Sequence, residues 1–495
     1  MMDTAPFLAA TPALAVVTSL VAVPLIAVSG RWPNLREAWT FLAGGIKLLL
    51  VLSMLGWILA GHTHTYDLWE VLPGLMIRFK VDGFGLLFAL VASSLWLVTS
   101  IYSMGYMRGL NEHAQTRYYC FFAVALSATM GVAFSGNLFT LYLFYEMLSL
   151  STYPLVTHHQ DKEARGGGRK YLTYLLGTSI AFALPAMIIT YMTTGSLEFS
   201  PAGVFPADTS PALLATLLLL FLFGFAKAGI MPFHSWLPGA MVAPTPVSAL
   251  LHAVAVVKVG VFSILRVITG IFGIDLLAAT NLNLIICLVA GVTVITSSLI
   301  ALSQDNLKRR LAFSTIGQLS YIILGAGVAT TLAVQGSMLH IAMHAFGKIT
   351  LFFCAGAIFV ATGKKYISEM VGIGRRMPIT MAAFFVGSLS VIGLPPAGGL
   401  ISKWYLVMGA MEADMVWVLV IYLVSSFLNA AYFLPIVYRA FFCRPEEALF
   451  DSKVAEAPLL CVIPLVLTAA ISVLLFFSSF PFFDLAAVAV QAGGR

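Results

Sequence analysis

The chain has 495 residues, 60% of them hydrophobic and 10% charged, with a formal net charge of +6. A soluble domain carries about a quarter charged residues. The surface available here could not keep such Leu-, Val- and Ile-rich runs out of water, so a soluble globular fold is excluded. Its lysines and arginines fall between or inside apolar runs and form no basic domain, so no nucleic-acid partner is expected.

Apolar stretches of about 20 residues, the length that crosses the hydrocarbon core of a bilayer, recur from end to end. Fourteen spans are predicted, at 7–28, 38–60, 83–105, 119–135, 137–156, 171–193, 210–230 continuing to 251, 252–272, 281–302, 309–329, 333–361, 378–410, 415–438 and 457–478. The first has only Asp3 before it and no basic residue, so it reads as a span and not as a cleaved signal. Connections are short and leave no room for a soluble domain. With the N-terminus outside, one side receives eighteen basic residues, among them Arg31, Arg108, Lys162, Lys308, Arg375, Arg444 and Lys453. The other side receives four, Arg78, Lys80, Arg266 and Arg495. This asymmetry is the positive-inside pattern and places the C-terminus outside as well.

Two spans look broken in corresponding places. One is FGFAKAGIMPFHSWLPGAMVAPTPV, with Lys227 ahead of Pro232 and Pro238. The other is LSVIGLPPAGGLISKWYLV, with Pro395, Pro396, Gly398 and Gly399 ahead of Lys403. Proline removes a backbone donor and clashes with the preceding turn. Unwinding inside a membrane is tolerated only where protein or a wet cavity covers the freed polar groups. Broken spans five apart in the two halves of a chain point to an inverted-repeat transporter; simple kinks are the alternative.

Five lysines lie inside apolar stretches: Lys47, Lys227, Lys258, Lys348 and Lys403. Lys47 is near enough to the start of its span to snorkel. Glu146 is the only acid deep in a span. A charge at mid-bilayer costs several kcal/mol, so these groups require a polar interior. A buried lysine can change protonation state near neutrality, and an approaching acid reverses the change, so pairing and unpairing can load and unload a proton. Lys227 is the expected partner of Glu146; a permanent salt bridge that only locks two helices is the alternative.

His340, His344 and Lys348 recur every four residues and share one helical face. The stripe can connect Lys258 on one side with Lys403 on the other, since imidazole takes and gives protons near neutral pH. Structural histidines bonded to carbonyls are the alternative, and no acid or cysteine stands at zinc-ligand spacing beside them. His252, six residues before Lys258, and His234, inside the first break, are candidate secondary relays; His234 could equally cap backbone groups. The five cysteines are scattered without a CxxC pair, which argues against a disulfide framework or a cysteine metal site. The loop segment GGGRK lacks the preceding strand and GK[ST] ending of a phosphate loop. The basic loops around Lys162 and Lys308 read as topology anchors, and no cofactor is expected.

The segments LYLFYEMLSL, FAKAGIMPFHSWLPGAMVAPTPVSALLHAVAVVKVGVF, LAFSTIGQLSYI and HAFGKITLFFCAG resemble the proton-conducting membrane family. It comprises the antiporter-like subunits of respiratory complex I and the large subunits of the Mrp multisubunit sodium/proton antiporter. The resemblance runs from roughly residue 70 to 440. It implies an all-α polytopic membrane protein of fourteen transmembrane helices, with two inverted five-helix repeats and broken helices 7 and 12. The division it implies is helices 1–3 in 1–117, a first repeat of helices 4–8 in 118–272, a second of helices 9–13 in 273–442, and helix 14 with the tail in 443–495. It assigns proton transfer to Glu146, Lys227, Lys258, His344, Lys348 and Lys403, with His340 one turn earlier.

The lysine at 403, where the M-type protein of complex I typically has glutamate, is similar to the D-type protein of Mrp. So is the short C-terminal region. The resemblance implies a non-enzymatic transporter component in a bacterial cell membrane, partnered by the A-type and small proteins of an Mrp assembly and handling protons and sodium. Antiporter-like components of complex I or of membrane-bound hydrogenases share the same module.

Overall fold

A chain in hydrocarbon must satisfy its backbone polar groups internally, and this one does so almost wholly with helices. The computed structural model describes residues 5–443 and 454–491; Arg444, Lys453 and Arg495, used in the charge count, lie outside them. Among the described residues, ten helices are long and apolar enough to cross a membrane. The protein is therefore a multi-pass, all-α membrane protein. Ten does not establish the expected fourteen, because the stretches at 210–251 and 378–410 are divided into shorter pieces. Gln115–Ala133 and Leu138–Val156 are of spanning length but more polar.

Burial sorts the helices into centre and periphery. Thr245–Phe272 and Leu307–Val328 are enclosed along their whole apolar windows. Pro33–Leu59 and Val416–Phe442 expose most of theirs, presenting side chains such as Leu49, Val420 and Phe427 outward. The 32-residue helix Thr331–Thr362 runs through the middle of the second half of the chain, a length of about 48 Å.

Both expected breaks are present. Pro211–Gly224 stops ahead of a 3-10 turn at Ala226–Ala228, and regular helix does not resume for long until Thr245. Pro378–Ile392 ends at Gly393 and the chain restarts as Gly399–Glu412. Gly393 has φ +87, a left-handed conformation natural to glycine, and a Cβ there would also meet the Lys403 Cδ at 2.6 Å. After the first break, Val256–Val267 is framed by π-helical turns at Leu250–Val254 and Ile268–Phe272.

Three features depart from the sequence reading. The connection after the second apolar stretch is an antiparallel hairpin, His64–Leu72 with Leu75–Val81, not a plain loop. Its second strand is tied to the 134–136 turn by Lys80 N to Phe134 O and Gly136 N to Arg78 O. Arg266, counted among the outer-side charges, is buried within a helix. It forms a two-pronged ion pair with Asp82, at 2.6 and 2.7 Å. Lys47 does not snorkel: it is fully buried, with its ammonium 4.5 Å from the centre of the Trp96 ring. Helix Pro33–Ser53 packs that face against Gly83–Gly109, so the long stem has no route to the interface.

Candidate functional site

The first break places its lysine against the helix that carries the deep acid. Tyr145 holds Lys227 at three points: its hydroxyl accepts the Lys227 backbone N–H at 3.2 Å, its carbonyl accepts Nζ at 2.8 Å, and its ring centre lies 3.1 Å from Nζ. Ser149 Oγ accepts from Nζ at 2.6 Å. Tyr145 and Ser149 are four residues apart and so share a helical face. The expected Glu146–Lys227 ion pair is not formed in this conformation. Both Glu146 carboxylate oxygens are buried and have no protein hydrogen-bond partner. Position 146 lies about 100° around the helix from 145 and projects beside the lysine cradle rather than into it.

The lysine of the next helix lies close by. Gly260 packs directly on the first break, where a Cβ would come within 2.1 Å of Ala228 N and 2.3 Å of Lys227 C. Two residues earlier, about half a turn around the helix, Lys258 Nζ meets His344 Nδ1 at 2.7 Å. The His344 ring stacks on His340 with centroids 5.8 Å apart. His340 bonds Ser402 Oγ through Nδ1 at 2.8 Å and Gln318 Oε1 through Nε2 at 3.2 Å. Ser402 adjoins Lys403 in the chain, and the Tyr321 ring faces both His340, at 5.9 Å, and the Lys403 ammonium, at 4.6 Å. Lys403 Nζ donates to Val391 O at 2.8 Å, Ile392 O at 3.0 Å and Ser426 Oγ at 3.1 Å. The structure thus brings Lys258, His344, His340 and Lys403 into one buried row.

Lys348 is a branch of this row. Its Nζ donates to Ser314 Oγ at 2.7 Å, with the Phe433 ring centre at 5.5 Å. His252 is wholly buried, packs on Phe352 with ring centroids 5.0 Å apart, and has no hydrogen bond at either ring nitrogen. His234 stands apart, half-buried beside Phe313. Among the described residues, no carboxylate forms an ion pair with Lys258, Lys348 or Lys403. Their charges are met by imidazole, hydroxyl, carbonyl and aromatic faces.

Cavities open at opposite ends of Thr331–Thr362. One, of about 700 Å³, is lined by Glu112, Asp161, Lys170, Thr245, Lys308 and Phe359 among others. The second, of about 280 Å³, has Lys80, Asp82, Arg266, Thr331, Val334 and Met338 on its wall. His340, His344 and Lys348 lie between them along the helix.

Several residues of this arrangement escaped the sequence reading. Tyr145, Ser149, Ser314, Gln318, Tyr321, Ser402 and Ser426 are ordinary polar residues in apolar helices; none stands i, i+4 to a site lysine or histidine, and only Ser402, next to Lys403, had a local mark. Lys308, read as an anchor, reaches into the cavity wall, where Nζ donates to Ala243 O at 2.6 Å beside the PTP segment. Outside the spans, Asp82 at the helix mouth titrates below the usual carboxylate range. Burial opposes that shift, but the charge and hydrogen bonds of Arg266 and the Gly85 N–H outweigh it.

Comparison with known proteins gives a consistent result. Residues 135–429 match the family described as NADH:quinone oxidoreductase/Mrp antiporter, TM. The chain is 36% identical over 354 residues to NADH-quinone oxidoreductase subunit N of Desulforudis audaxviator, covering 70% of this chain and 69% of that protein. It is 31% identical over 454 residues to the A-type component of the Na(+)/H(+) antiporter of Alkalihalophilus pseudofirmus, covering 85% of this chain and 55% of that one. It therefore spans little more than half the length of that antiporter protein. One chain in the structure of the Mrp complex from Dietzia sp. DQ12-45-1b superposes with a TM-score of 0.86 at 21% identity, over 98% of this chain and 97% of that chain, which establishes a shared fold. The chain belongs to the NADH:quinone oxidoreductase/Mrp antiporter transmembrane family.

Proposed function

We propose that this chain is the proton-translocating D-type component of an Mrp-like multisubunit sodium/proton antiporter. The observation that carries the reading is the buried row Lys258–His344–His340–Ser402–Lys403, with Lys227 packed against the base of the same helix as Lys258. A chain of groups that each take and give a proton is what a relay requires. In this reading Glu146 and Lys227 pair and unpair, switching the charge felt by Lys258, and Lys348 and His252 side-load the row. His234, in the first break, is a secondary relay. Neither sodium passage through this chain nor a sodium cage is part of the proposal, since Glu146 is the one deep carboxylate in the sequence.

The proposal includes the finer architecture: fourteen spans, inverted repeats at 118–272 and 273–442, an N-terminal unit at 1–117 and a final unit at 443–495. It also includes a bacterial cell-membrane location, both termini outside, and assembly with the A-type protein and small membrane proteins of the antiporter. The test uses vesicles containing the complete assembly. Replacing Glu146 or Lys227 with Ala is expected to abolish sodium-driven proton movement with assembly intact; wild-type exchange in either variant would overturn the assignment.

The identity to a quinone oxidoreductase component favours a second reading, in which electron transfer in partner chains drives the same relay. Co-purification with small cation-transport proteins supports the antiporter. Co-purification with iron–sulfur or hydrogenase proteins supports the redox complex.

A further inference from the structure

The loops at the mouth of the larger cavity carry a side-chain cluster that the relay does not use. Glu112 and His113 follow the helix Gly83–Gly109, and His158 and His159 follow Leu138–Val156. Three imidazoles converge on one carboxylate oxygen. Glu112 Oε2 lies 3.9 Å from His113 Nδ1, 3.8 Å from His158 Nε2 and 3.6 Å from His159 Nδ1. One donor atom from each of Glu112, His113 and His158 falls within 4.8 Å of the others. The rings surround the point without filling it: centroid separations are 4.8 Å for His113–His158, 5.6 Å for His158–His159 and 6.2 Å for His113–His159.

A second observation is independent of this grouping. The His158 side chain is 0% exposed, and neither of its ring nitrogens has a hydrogen-bond partner. A buried imidazole left without partners is costly, and Nε2 is aimed at the cluster. Its backbone is pinned from the neighbouring helix, Arg117 Nη2 donating to His158 O at 2.8 Å. The other arms are freer: the His113 and His159 side chains are 53% and 33% exposed.

We infer that Glu112, His113, His158 and His159 form a binding site for a divalent transition-metal ion of the zinc class, at the mouth of the larger cavity, which lies at the Phe359 end of Thr331–Thr362. Imidazole nitrogens with one carboxylate suit zinc, cobalt, nickel or copper rather than calcium or magnesium. Tetrahedral metal–ligand bonds of about 2.0–2.2 Å need donors somewhat closer together than they stand, and the two exposed histidines can swing in on the fixed His158. Binding would join the end of one helix to the end of the helix carrying Glu146. It would also place a double positive charge beside Glu112 and His159 of the cavity lining, on the side from which the relay reading has protons enter. The ion is thus an inhibitor of proton access; this last step alone rests on the relay reading.

The test is titration of the purified, chelator-washed complex with zinc chloride by calorimetry, repeated with cobalt for its visible absorption. One saturable site per chain and a tetrahedral cobalt spectrum are expected. His158→Ala, Glu112→Gln and the double variant His113→Ala/His159→Ala should each weaken binding by about tenfold or more. The double variant leaves the buried His158 in place and so guards against misfolding there. Absence of saturable binding, or binding unchanged in all three, overturns the site. In vesicles, micromolar zinc should suppress proton movement in the wild type and not in the double variant; bound zinc with unaltered transport overturns the inhibitory role while leaving the site standing.

Discussion

The two broken helices solve one problem in two ways. Each must hold an ammonium in the apolar interior, and each sets it against a tyrosine ring, a serine hydroxyl and a backbone carbonyl. At Lys403 the remaining stabilisation is permanent. Val391 O and Ile392 O end the helix Pro378–Ile392, so the ammonium lies at the negative end of a helix dipole. At Lys227 a second carbonyl is missing, and the neighbouring carboxylate of Glu146 stands unpaired instead. A fixed dipole cannot be switched off, whereas a carboxylate can be moved or protonated. On the proposed reading, the first break holds its lysine beside a group that can change state, and the second beside one that cannot.

The largest effect should come from taking away the capacity to release a proton while keeping the charge. Arginine does not deprotonate in proteins, so Lys227→Arg should lower sodium-driven proton movement in vesicles about 100-fold or more. Lys403→Arg should do the same if it also passes a proton. Retained transport in Lys403→Arg alone would sharpen the comparison, making Lys403 a fixed charge and Lys227 the switch.

Next comes backbone packing, where the two breaks should behave alike. A Cβ on Gly399 would lie 1.8 Å from Ser390 O, and one on Gly260 2.1 Å from Ala228 N. Gly399→Ala and Gly260→Ala should each destabilise the fold by about 1–3 kcal/mol, the range for overpacking, read as a lowered thermal midpoint in detergent.

Removing one hydroxyl should separate the breaks again. Ser149→Ala leaves Lys227 a single oxygen partner and should cost about 1–2 kcal/mol. Ser426→Ala leaves Lys403 its two carbonyls and should cost under about 1 kcal/mol. Equal losses in the same thermal assay would break the distinction drawn between them.

The smallest effect is expected far from both breaks. On the hairpin, Arg78 holds the Asp67 carboxyl below its ordinary value of 3.8, chiefly through a direct hydrogen bond. A lowered folded-state value means that the stabilisation is present above the unfolded value and is lost as pH falls through the folded one. The pair is solvent-exposed, so Asp67→Asn should cost about 0.5 kcal/mol or less at neutral pH. Its thermal midpoint should converge with that of the wild type in acid.

How much of this was legible follows from the range of each signal. The apolar runs, the proline and glycine interruptions and the i, i+4 histidine stripe are local, and the sequence displays them directly. The hairpin was missed because HTYDLWEVL does not alternate cleanly between polar and apolar, and its strands are held by a turn more than fifty residues on. Lys47 was misread because proximity to a span end says nothing about which face a neighbouring helix covers. Glu146 was paired with Lys227 because both lie in the first half of the chain beside helix-distorting residues, a guide to neighbourhood but not to which atoms touch. The Glu112 cluster joins two loops some forty-five residues apart, a relation that no spacing rule reports.

The segment Val256–Val267 is regular helix between two π-helical turns, so it is a stiff rod with a loosened joint at each end. Lys258 and Arg266 are both mounted on that rod, about 12 Å apart along its axis, gripping His344 and Asp82 respectively. A tilt of the segment that parted Lys258 from its imidazole would also pull on the guanidinium at the far end, and a label near Asp82 would then register it.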